Sequence, residues 1–206
     1  MYGFQDEVWW SRLALPNLNA WTPDQPLRLV EQMVAKNDPD PKAIACYGLL
    51  TQMRDDSHAD DVWLRFVTGR PVSAVTTAFL GWCAERAAAL GKRFLVMVWD
   101  NASWHVSREV HAWLKQHNHA VVVTGHGCRI IPSYLPVKSP WLNSIEPKWL
   151  HAKRRIVEPT RLLSATELRA RVVEAFDCTH EPDLIQPKQP TCSKKHSMSH
   201  MLDLLT

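Results

Sequence analysis

Three acidic residues lie in settings that give them no obvious role in solubility. Glu146 lies in SPWLNSIEPKW, among Trp, Leu, Ile and Pro side chains. Asp100 follows the apolar run FLVMVW, and Asp6 lies within an alternating stretch near residue 1. Three carboxylates brought together would form an all-oxygen site, which suits Mg²⁺ or Mn²⁺ rather than zinc. Two such ions can activate a water or a sugar hydroxyl and stabilise the leaving oxygen in an in-line displacement at a phosphodiester.

One acid is predicted to lie on a β-strand and a second directly after the end of one. Apolar and polar residues alternate over 2–10, which predicts a first strand that carries Asp6. The run 94–99 predicts a strand buried on both faces, and Asp100 lies beyond its carboxyl end, where ligands gather in open α/β sheets. The alternative is that Asp100 only ends the strand and caps the next turn. Strand alternation points Glu7 to the face opposite Asp6, so Glu7 is not predicted to be a ligand.

The third acid is predicted to lie in the first turn of a helix that runs from near Ser144 toward Val157. Pro147 is tolerated only within a first helical turn, which places Glu146 there as well. The free N–H groups and the helix dipole of that turn favour an ionised carboxylate, as a metal ligand requires. Compensation of the dipole alone is the alternative interpretation of Glu146.

Polar neighbours of the acids are further candidates. Asn101 and His105 could hydrogen-bond the Asp100 carboxylate or a scissile phosphate, and a purely structural Asn or His is the alternative. Asn143 is grouped with them, although a helix cap is its expected role.

Basic residues surround the third predicted helix and are candidates for DNA contacts. In an enzyme that processes DNA they would pair with phosphates, and the affinity would then depend strongly on salt. A solvated helix face is the alternative interpretation. The set comprises Lys138, Lys148, Lys153, Arg154 and Arg155.

The remaining pattern predicts alternating strands and helices. Strands are predicted at 43–50 and 62–66, and short strands or extended segments at 121–124 and 129–136. Helices are predicted at 72–90 and from about Ser103, the possible N-cap, to His117. A fourth helix is predicted where Ser164 and Glu167 have capping-box spacing. This order predicts a mixed sheet with helices on its faces.

Composition limits the classes of protein that the chain can belong to. Of its 206 residues, 46% are hydrophobic and 22% charged, which is typical of a globular protein. Five widely spaced Cys without a CxxC pair indicate a reducing compartment, so a cytosolic location is expected. No signal peptide or membrane span is predicted. The net charge of +3 permits an anionic partner but does not require one.

Three blocks carry a resemblance to a known family. FQDE at 4–7, VWDNASWH at 98–105 and LPVKSPWLNSIEPKW at 135–149 resemble the catalytic blocks of the DDE transposases of bacterial insertion sequences, in the branch related to the mariner elements. The resemblance extends through VWLRFVTGRPVS, HAKRRIVEP and LLSATELRARV, roughly residues 1–177.

The resemblance implies an RNase H-like fold over 1–177. After about Cys178 the sequence loses periodicity and gains Pro, Lys and His, which predicts a loosely ordered tail over 178–206. It also implies that Asp6, Asp100 and Glu146 bind two Mg²⁺ or Mn²⁺ ions, cut DNA at the transposon ends and join the 3′ hydroxyl to target DNA. A homodimer on DNA, in the bacterial cytoplasm at the nucleoid, is the implied assembly.

Two departures from the family pattern qualify these expectations. Family members carry upstream helix-turn-helix modules, so the chain is expected to be a catalytic half, either one reading frame of a split gene or a truncated copy. A separate N-terminal DNA-binding polypeptide is a further candidate partner. Ser144 stands where the family usually has Pro, which changes the cap and leaves the acid in place.

Two other functions remain open at this point. The first is an inactive or repurposed transposase fragment that binds DNA or protein without turnover. The second is a zinc site, although its ligand spacing matches no known zinc motif. Its candidate ligands are Cys178, His180, Cys192, His196 and His200.

Overall fold

The computed structural model describes residues 1–13, 32–53, 60–156, 158 and 160–187. This part of the chain contains six strands, four helices and one 3₁₀ turn. In chain order they are β1 (Tyr2–Ser11), β2 (Ala43–Gln52), β3 (Asp61–Thr68), α1 (Ser73–Ala89), β4 (Phe94–Trp99), α2 (Arg108–Thr124), β5 (Arg129–Tyr134), the 3₁₀ turn (Pro140–Leu142), α3 (Glu146–Ile156), α4 (Ala165–Ala175) and β6 (Leu184–Ile185). No helix within these ranges is long and apolar enough to cross a membrane.

The strands form one mixed sheet in the order β5-β4-β1-β2-β3-β6. β2 pairs antiparallel with both β1 and β3, while β4 lies parallel to β1 and β5 lies parallel to β4. The predicted mixed sheet flanked by helices is therefore confirmed.

Each face of the sheet has its own hydrophobic core. Leu95, Met97 and Trp99 of β4 point to the face covered by α1 and α2. Val8 and Trp10 of β1 point to the other face, which α3 and α4 cover. The alternating strand residues thus separate two layers of helices, and the parity of a position along a strand decides which layer its side chain meets.

The second helix begins later than its sequence pattern predicts. Ser107, and not Ser103, is the N-cap, and its hydroxyl accepts a hydrogen bond from the Val110 N–H at 3.2 Å. The preceding residues form a turn instead, because the Ala102 N–H donates to Asp100 Oδ1 at 2.9 Å. An Asp side chain that binds the backbone two residues later competes with helix formation.

The prediction of a strand or extended segment at 121–124 is wrong. These residues form the last turn of α2, which ends at Gly125 with φ of 70°. Their β-branched side chains favour strands only weakly, and no helix-breaking residue precedes Gly125.

Part of the segment interpreted as a tail contributes to the fold. β6 pairs parallel with the end of β3, and Arg169 of α4 binds Asp183 with two hydrogen bonds of 2.6 and 2.9 Å. Of the predicted 178–206 tail, residues 188–206 lie outside the described residues.

Candidate active site

The parallel pairing of β1 with β4 brings two of the three acids to the same level of the sheet. Phe4 pairs with Val98, so the residues two positions further along, Asp6 and Asp100, lie level with each other. Their shared parity directs them to the face that α3 covers. Glu146 is the first residue of α3 and lies in its first turn, as the sequence predicts.

Trp149 of α3 contacts Asp6 directly. Its indole Nε1–H donates a hydrogen bond to Asp6 Oδ2 at 2.9 Å. The ring fits over β2 at Gly48, the cross-strand partner of Asp6, where a Cβ atom would overlap the indole. The absence of a side chain at position 48 therefore allows α3 to approach the sheet closely enough to orient Asp6.

Asn143 fastens the segment before α3 to β1. The side chain is buried, and its Nδ2 donates to the backbone carbonyl of Gln5 at 2.9 Å. Its Oδ1 lies 3.5 Å from the Ile145 N–H, at the limit of a hydrogen bond. The principal contact of Asn143 is thus a tether between the residues preceding Asp6 and those preceding Glu146. Because α3 begins at Glu146, Asn143 lies too far upstream to be the helix cap that the sequence predicts.

The environment of Asp6 disfavours its charged form. Burial raises the pKa of Asp6, and the negative charges of Glu146 and Glu7 raise it further, to about 7, against the opposing hydrogen bond from Trp149. Asp6 and Glu146 are therefore close enough to repel each other. A divalent cation between such carboxylates would relieve this repulsion.

This raised pKa predicts a pH-dependent effect of Asp6→Asn in buffer that contains EDTA. The folded protein holds the Asp6 proton up to about pH 7, whereas the unfolded chain loses it near 3.8, so ionisation costs stability as the pH rises. Asp6→Asn should raise the melting temperature by several degrees at pH 8 and change it little at pH 4.

Thermal denaturation at both pH values checks this prediction. The control is Glu85→Gln, which removes a carboxylate from an exposed position on α1. Equal melting temperatures of Asp6→Asn and the unaltered protein at pH 8 would contradict it.

Asp100 is held by His105. The Nδ1 atom of His105 lies 2.7 Å from Asp100 Oδ1, and its Nε2 atom lies 2.9 Å from Glu7 Oε1. The hydrogen bond from His105 lowers the pKa of Asp100. Burial alone would lower the pKa of His105, but its bonds to Asp100 and Glu7 outweigh burial and raise that pKa to about 9.

Asn101 does not contact the Asp100 carboxylate in this structure. Its Nδ2 donates to the Leu135 carbonyl at 2.7 Å and so joins the end of β4 to the loop after β5. Of the two neighbours predicted to bind Asp100, His105 makes the contact and Asn101 does not.

The donor chemistry of the three acids fits hard divalent cations. All six oxygens are carboxylate oxygens, and the Glu146 carboxylate has no hydrogen bond or ion pair with any described residue. Among the described residues, which include all three acids, no group of three or more His, Cys, Asp or Glu side chains is arranged to hold a metal ion.

The five basic candidates are all exposed. Lys148 lies 3.8 Å from Asp60, and Arg155 donates to the Ala175 carbonyl at 3.3 Å. Lys153 and Arg154 make no hydrogen bond or ion pair with the described part of the chain. Lys138 lies in the loop before the 3₁₀ turn and has φ of 60°.

The zinc hypothesis gains no support from the described residues. The Cys178 thiol donates to the Val173 carbonyl, and the His180 ring lies 6.0 Å from the Phe66 ring. Cys192, His196 and His200 lie outside the described residues.

Sequence reasoning missed three contributors to this site. Glu7 lies on the predicted opposite face, yet it reaches Asp100 through His105. Gly48 gave no signal, because its importance depends on which ring packs over it. Trp149 carries an indole N–H that can donate a hydrogen bond, and this capacity was the one available signal of its contact with Asp6.

Comparison with known proteins identifies both a sequence family and a fold. The model of the family described as "DDE superfamily endonuclease" matches residues 57–169, more than half of the chain. The matched region includes Asp100 and Glu146, and Asp6 lies outside it. No curated protein matches the chain.

Several solved structures of the Mos1 transposase are similar in fold. The Mos1 strand transfer complex has a TM-score of 0.56 and 16% identity, over 86% of this chain and 47% of that chain. The Mos1 transposase paired-end complex with left transposon end has a TM-score of 0.58 and 16% identity, over 86% of this chain and 48% of that chain. The Mos1 mariner paired-end complex with Mn has a TM-score of 0.56 and 16% identity, over 86% of this chain and 48% of that chain.

At this level of identity the similarity establishes the fold, and the predicted RNase H-like architecture is confirmed. The chain spans about half the length of the solved chains that it matches.

Proposed function

This chain belongs to the DDE superfamily endonuclease family, and on that premise we propose that it cleaves DNA strands with Asp6, Asp100 and Glu146 as catalytic carboxylates. The reaction is the strand cleavage of transposition, followed by transfer of the freed 3′ hydroxyl to target DNA. The family and the fold support DNA cleavage of this type. The assignment of the three residues and of strand transfer is the proposal.

One observation carries the proposal. The parallel register of β1 and β4 brings Asp6 level with Asp100 on the face to which α3 delivers Glu146. This register is what brings acids so widely separated in sequence to one face of the sheet. The Coulomb effect of Glu146 on the pKa of Asp6 is consistent with that meeting.

The proposed cofactor is a pair of Mg²⁺ or Mn²⁺ ions held by the three acids. When bound, these ions would activate the attacking hydroxyl and stabilise the leaving oxygen. The protein contributes the placement of the ligands: Trp149 orients Asp6, and His105 orients Asp100. The related Mos1 complexes were solved with Mn and with Mg, which supports the choice of cations.

The test is strand cleavage by the purified chain. It is incubated with supercoiled plasmid, and separately with duplexes that carry the inverted repeats of the element, in Mn²⁺ or Mg²⁺ and in EDTA. Nicking that depends on the cation is the expected result. No nicking in either cation, on either DNA, would overturn the proposed function.

The basic residues of α3 are proposed to bind DNA phosphates. Replacing Lys153 and Arg154 by Ala should weaken binding to all DNA sequences and should reduce the slope of log affinity against log salt by about 2, because each lost phosphate contact contributes about 0.9. Fluorescence anisotropy between about 50 and 200 mM salt measures both quantities.

Arg93→Ala with Lys115→Ala is the matched control, since it removes the same charge from exposed positions far from α3. An equal loss of slope in the control would show that overall charge, and not this helix, determines binding.

The remaining expectations from the family resemblance are also proposals. They are a bacterial insertion sequence as the source, action in the cytoplasm at the nucleoid, and a homodimer that joins two transposon ends and target DNA. The alternative function is a binding module without turnover, for which the absence of a preformed metal cluster among the described residues is the favouring observation. Cleavage left unchanged by Asp100→Ala would favour that alternative.

A further inference from the structure

We propose that Glu7 is a positioning residue for Asp100, and that it acts through His105 from the opposite face of the sheet. This inference rests on the proposed function, since it concerns the geometry of one of the three proposed catalytic acids. Glu7 itself touches neither DNA nor cation in this account.

A continuous chain of contacts joins the two carboxylates. His105 Nε2 lies 2.9 Å from Glu7 Oε1, and His105 Nδ1 lies 2.7 Å from Asp100 Oδ1. An ionised carboxylate can only accept hydrogen bonds, so both ring nitrogens donate. The ring is thereby fixed at both ends, and its rotation would break one bond or the other.

Packing restrains the imidazole further. The His105 side chain is 0% exposed and stacks on the Trp99 ring at 4.8 Å between centroids and 14° between planes. The Gln5 side chain donates to Glu7 Oε1 at 3.1 Å, which holds the far carboxylate in place. The His105 ring is therefore anchored to β1 through Glu7 while it binds Asp100.

Asp100 needs such support because of its location. It lies beyond the end of β4, and its side chain is 55% exposed, whereas that of Glu7 is 9% exposed. An exposed acid at a strand end loses rotamer freedom when it must hold one orientation. The bond from His105, and the Ala102 N–H bond to the same oxygen, select that orientation in advance.

A purely structural role would make Glu7 a poor choice of residue. Burial of a carboxylate costs free energy unless it is paired, and an apolar side chain would fill the same space at lower cost. An acid at this position is explained if its partner, His105, must be held in one orientation for Asp100.

The test compares three replacements of Glu7. Glu7→Gln keeps an acceptor oxygen at the same reach, Glu7→Asp is shorter, and Glu7→Leu removes the acceptor. Loss of a partner that orients a ligand typically lowers cation affinity or activity by about 10- to 100-fold. We expect such a loss in Glu7→Leu and Glu7→Asp, with Glu7→Gln within a few-fold of the unaltered protein.

Two readouts separate positioning from general destabilisation. Mn²⁺ affinity is measured by electron paramagnetic resonance without DNA, and kcat and KM for DNA are measured separately, with kcat expected to fall and KM to stay unchanged. Crystal structures of the metal-free variants should show the His105 ring rotated, and the Asp100 carboxylate in several orientations, in Glu7→Leu and Glu7→Asp but not in Glu7→Gln.

Glu109→Leu on exposed α2 is the control for loss of a carboxylate. A folded Glu7→Leu with unchanged Mn²⁺ affinity and an unmoved Asp100 would overturn the inference. If Glu7→Leu fails to fold, equal behaviour of Glu7→Asp and Glu7→Gln would overturn it. If the unaltered protein neither binds Mn²⁺ nor cuts DNA, the proposed function fails, and the metal-free structures alone decide whether Glu7 positions Asp100.

Discussion

Asp6→Asn, Asp100→Asn and Glu146→Gln should each lower DNA strand cleavage by about a thousandfold or more while leaving the protein folded. The loss of a charged ligand for the proposed cations removes several kcal/mol of transition-state stabilisation, and about 4 kcal/mol corresponds to a thousandfold in rate. The replacements keep the shape of each side chain, so Asn at position 100 still offers an acceptor to His105. Single-turnover cleavage of a labelled duplex in Mn²⁺ measures the effect.

The exposed acid Glu85 provides the control, since Glu85→Gln changes the same charge on the opposite helical layer. Cleavage retained by any one of the three variants would remove that residue from the site. The three variants should differ in stability. Asp6→Asn relieves the repulsion from Glu146, so it should be the most stable of the three proteins at pH 8.

Gly48→Ala should lower both the stability of the protein and its cleavage of DNA. The added Cβ would overlap the Trp149 ring, and the indole must move away from the sheet or the strand must shift. Overpacking of this kind typically costs about 1–3 kcal/mol of unfolding free energy. Because Trp149 also donates to Asp6, we expect cleavage to fall by about tenfold or more, beyond what the loss of folded protein explains.

Gly81→Ala is the matched control for Gly48→Ala. A Cβ at position 81 in α1 would meet Trp113 at an ordinary 3.6 Å, and Ala in a helix interior is better than Gly by roughly 0.5–1 kcal/mol. Chemical denaturation should therefore show opposite signs for the two variants. If Gly48→Ala has the same unfolding free energy and the same cleavage rate as the unaltered protein, the Trp149 ring moves without consequence and the prediction is wrong.

A double variant separates packing from hydrogen bonding. Gly48→Ala with Trp149→Leu removes the overlap and also removes the indole donor. We expect stability to recover partly relative to Gly48→Ala alone, while cleavage stays low because Asp6 has lost its orienting hydrogen bond.

The local sequence patterns were sufficient to predict the elements that carry the acids. Alternation near Asp6, the apolar run before Asp100 and the Pro147 constraint on Glu146 each depend on residues within a few positions, and the sheet with its helices follows from their order. The prediction for residues 121–124 was wrong because their β-branched side chains favour strands, whereas Gly125, which ends α2, indicates that the helix continues up to that point.

The contacts that orient the acids were less predictable. Strand alternation correctly placed Glu7 on the far face, and it was discounted for that reason. The turn after Asp100 then carries His105 around the strand end to meet it. Such contacts depend on the path of a loop in three dimensions, and no periodicity in the sequence encodes that path.

The ladder between β1 and β4 is short compared with the one that holds β1 to β2. β1 shares ten paired positions with β2 and three with β4. A slip of β4 by one residue along the short ladder would turn Asp100 toward the wrong helical layer, while the long ladder with β2 keeps Asp6 in place. The proposed catalytic site thus depends on a pairing of only three positions: local fraying between β1 and β4 would separate Asp6 from Asp100 while most of the sheet stayed intact.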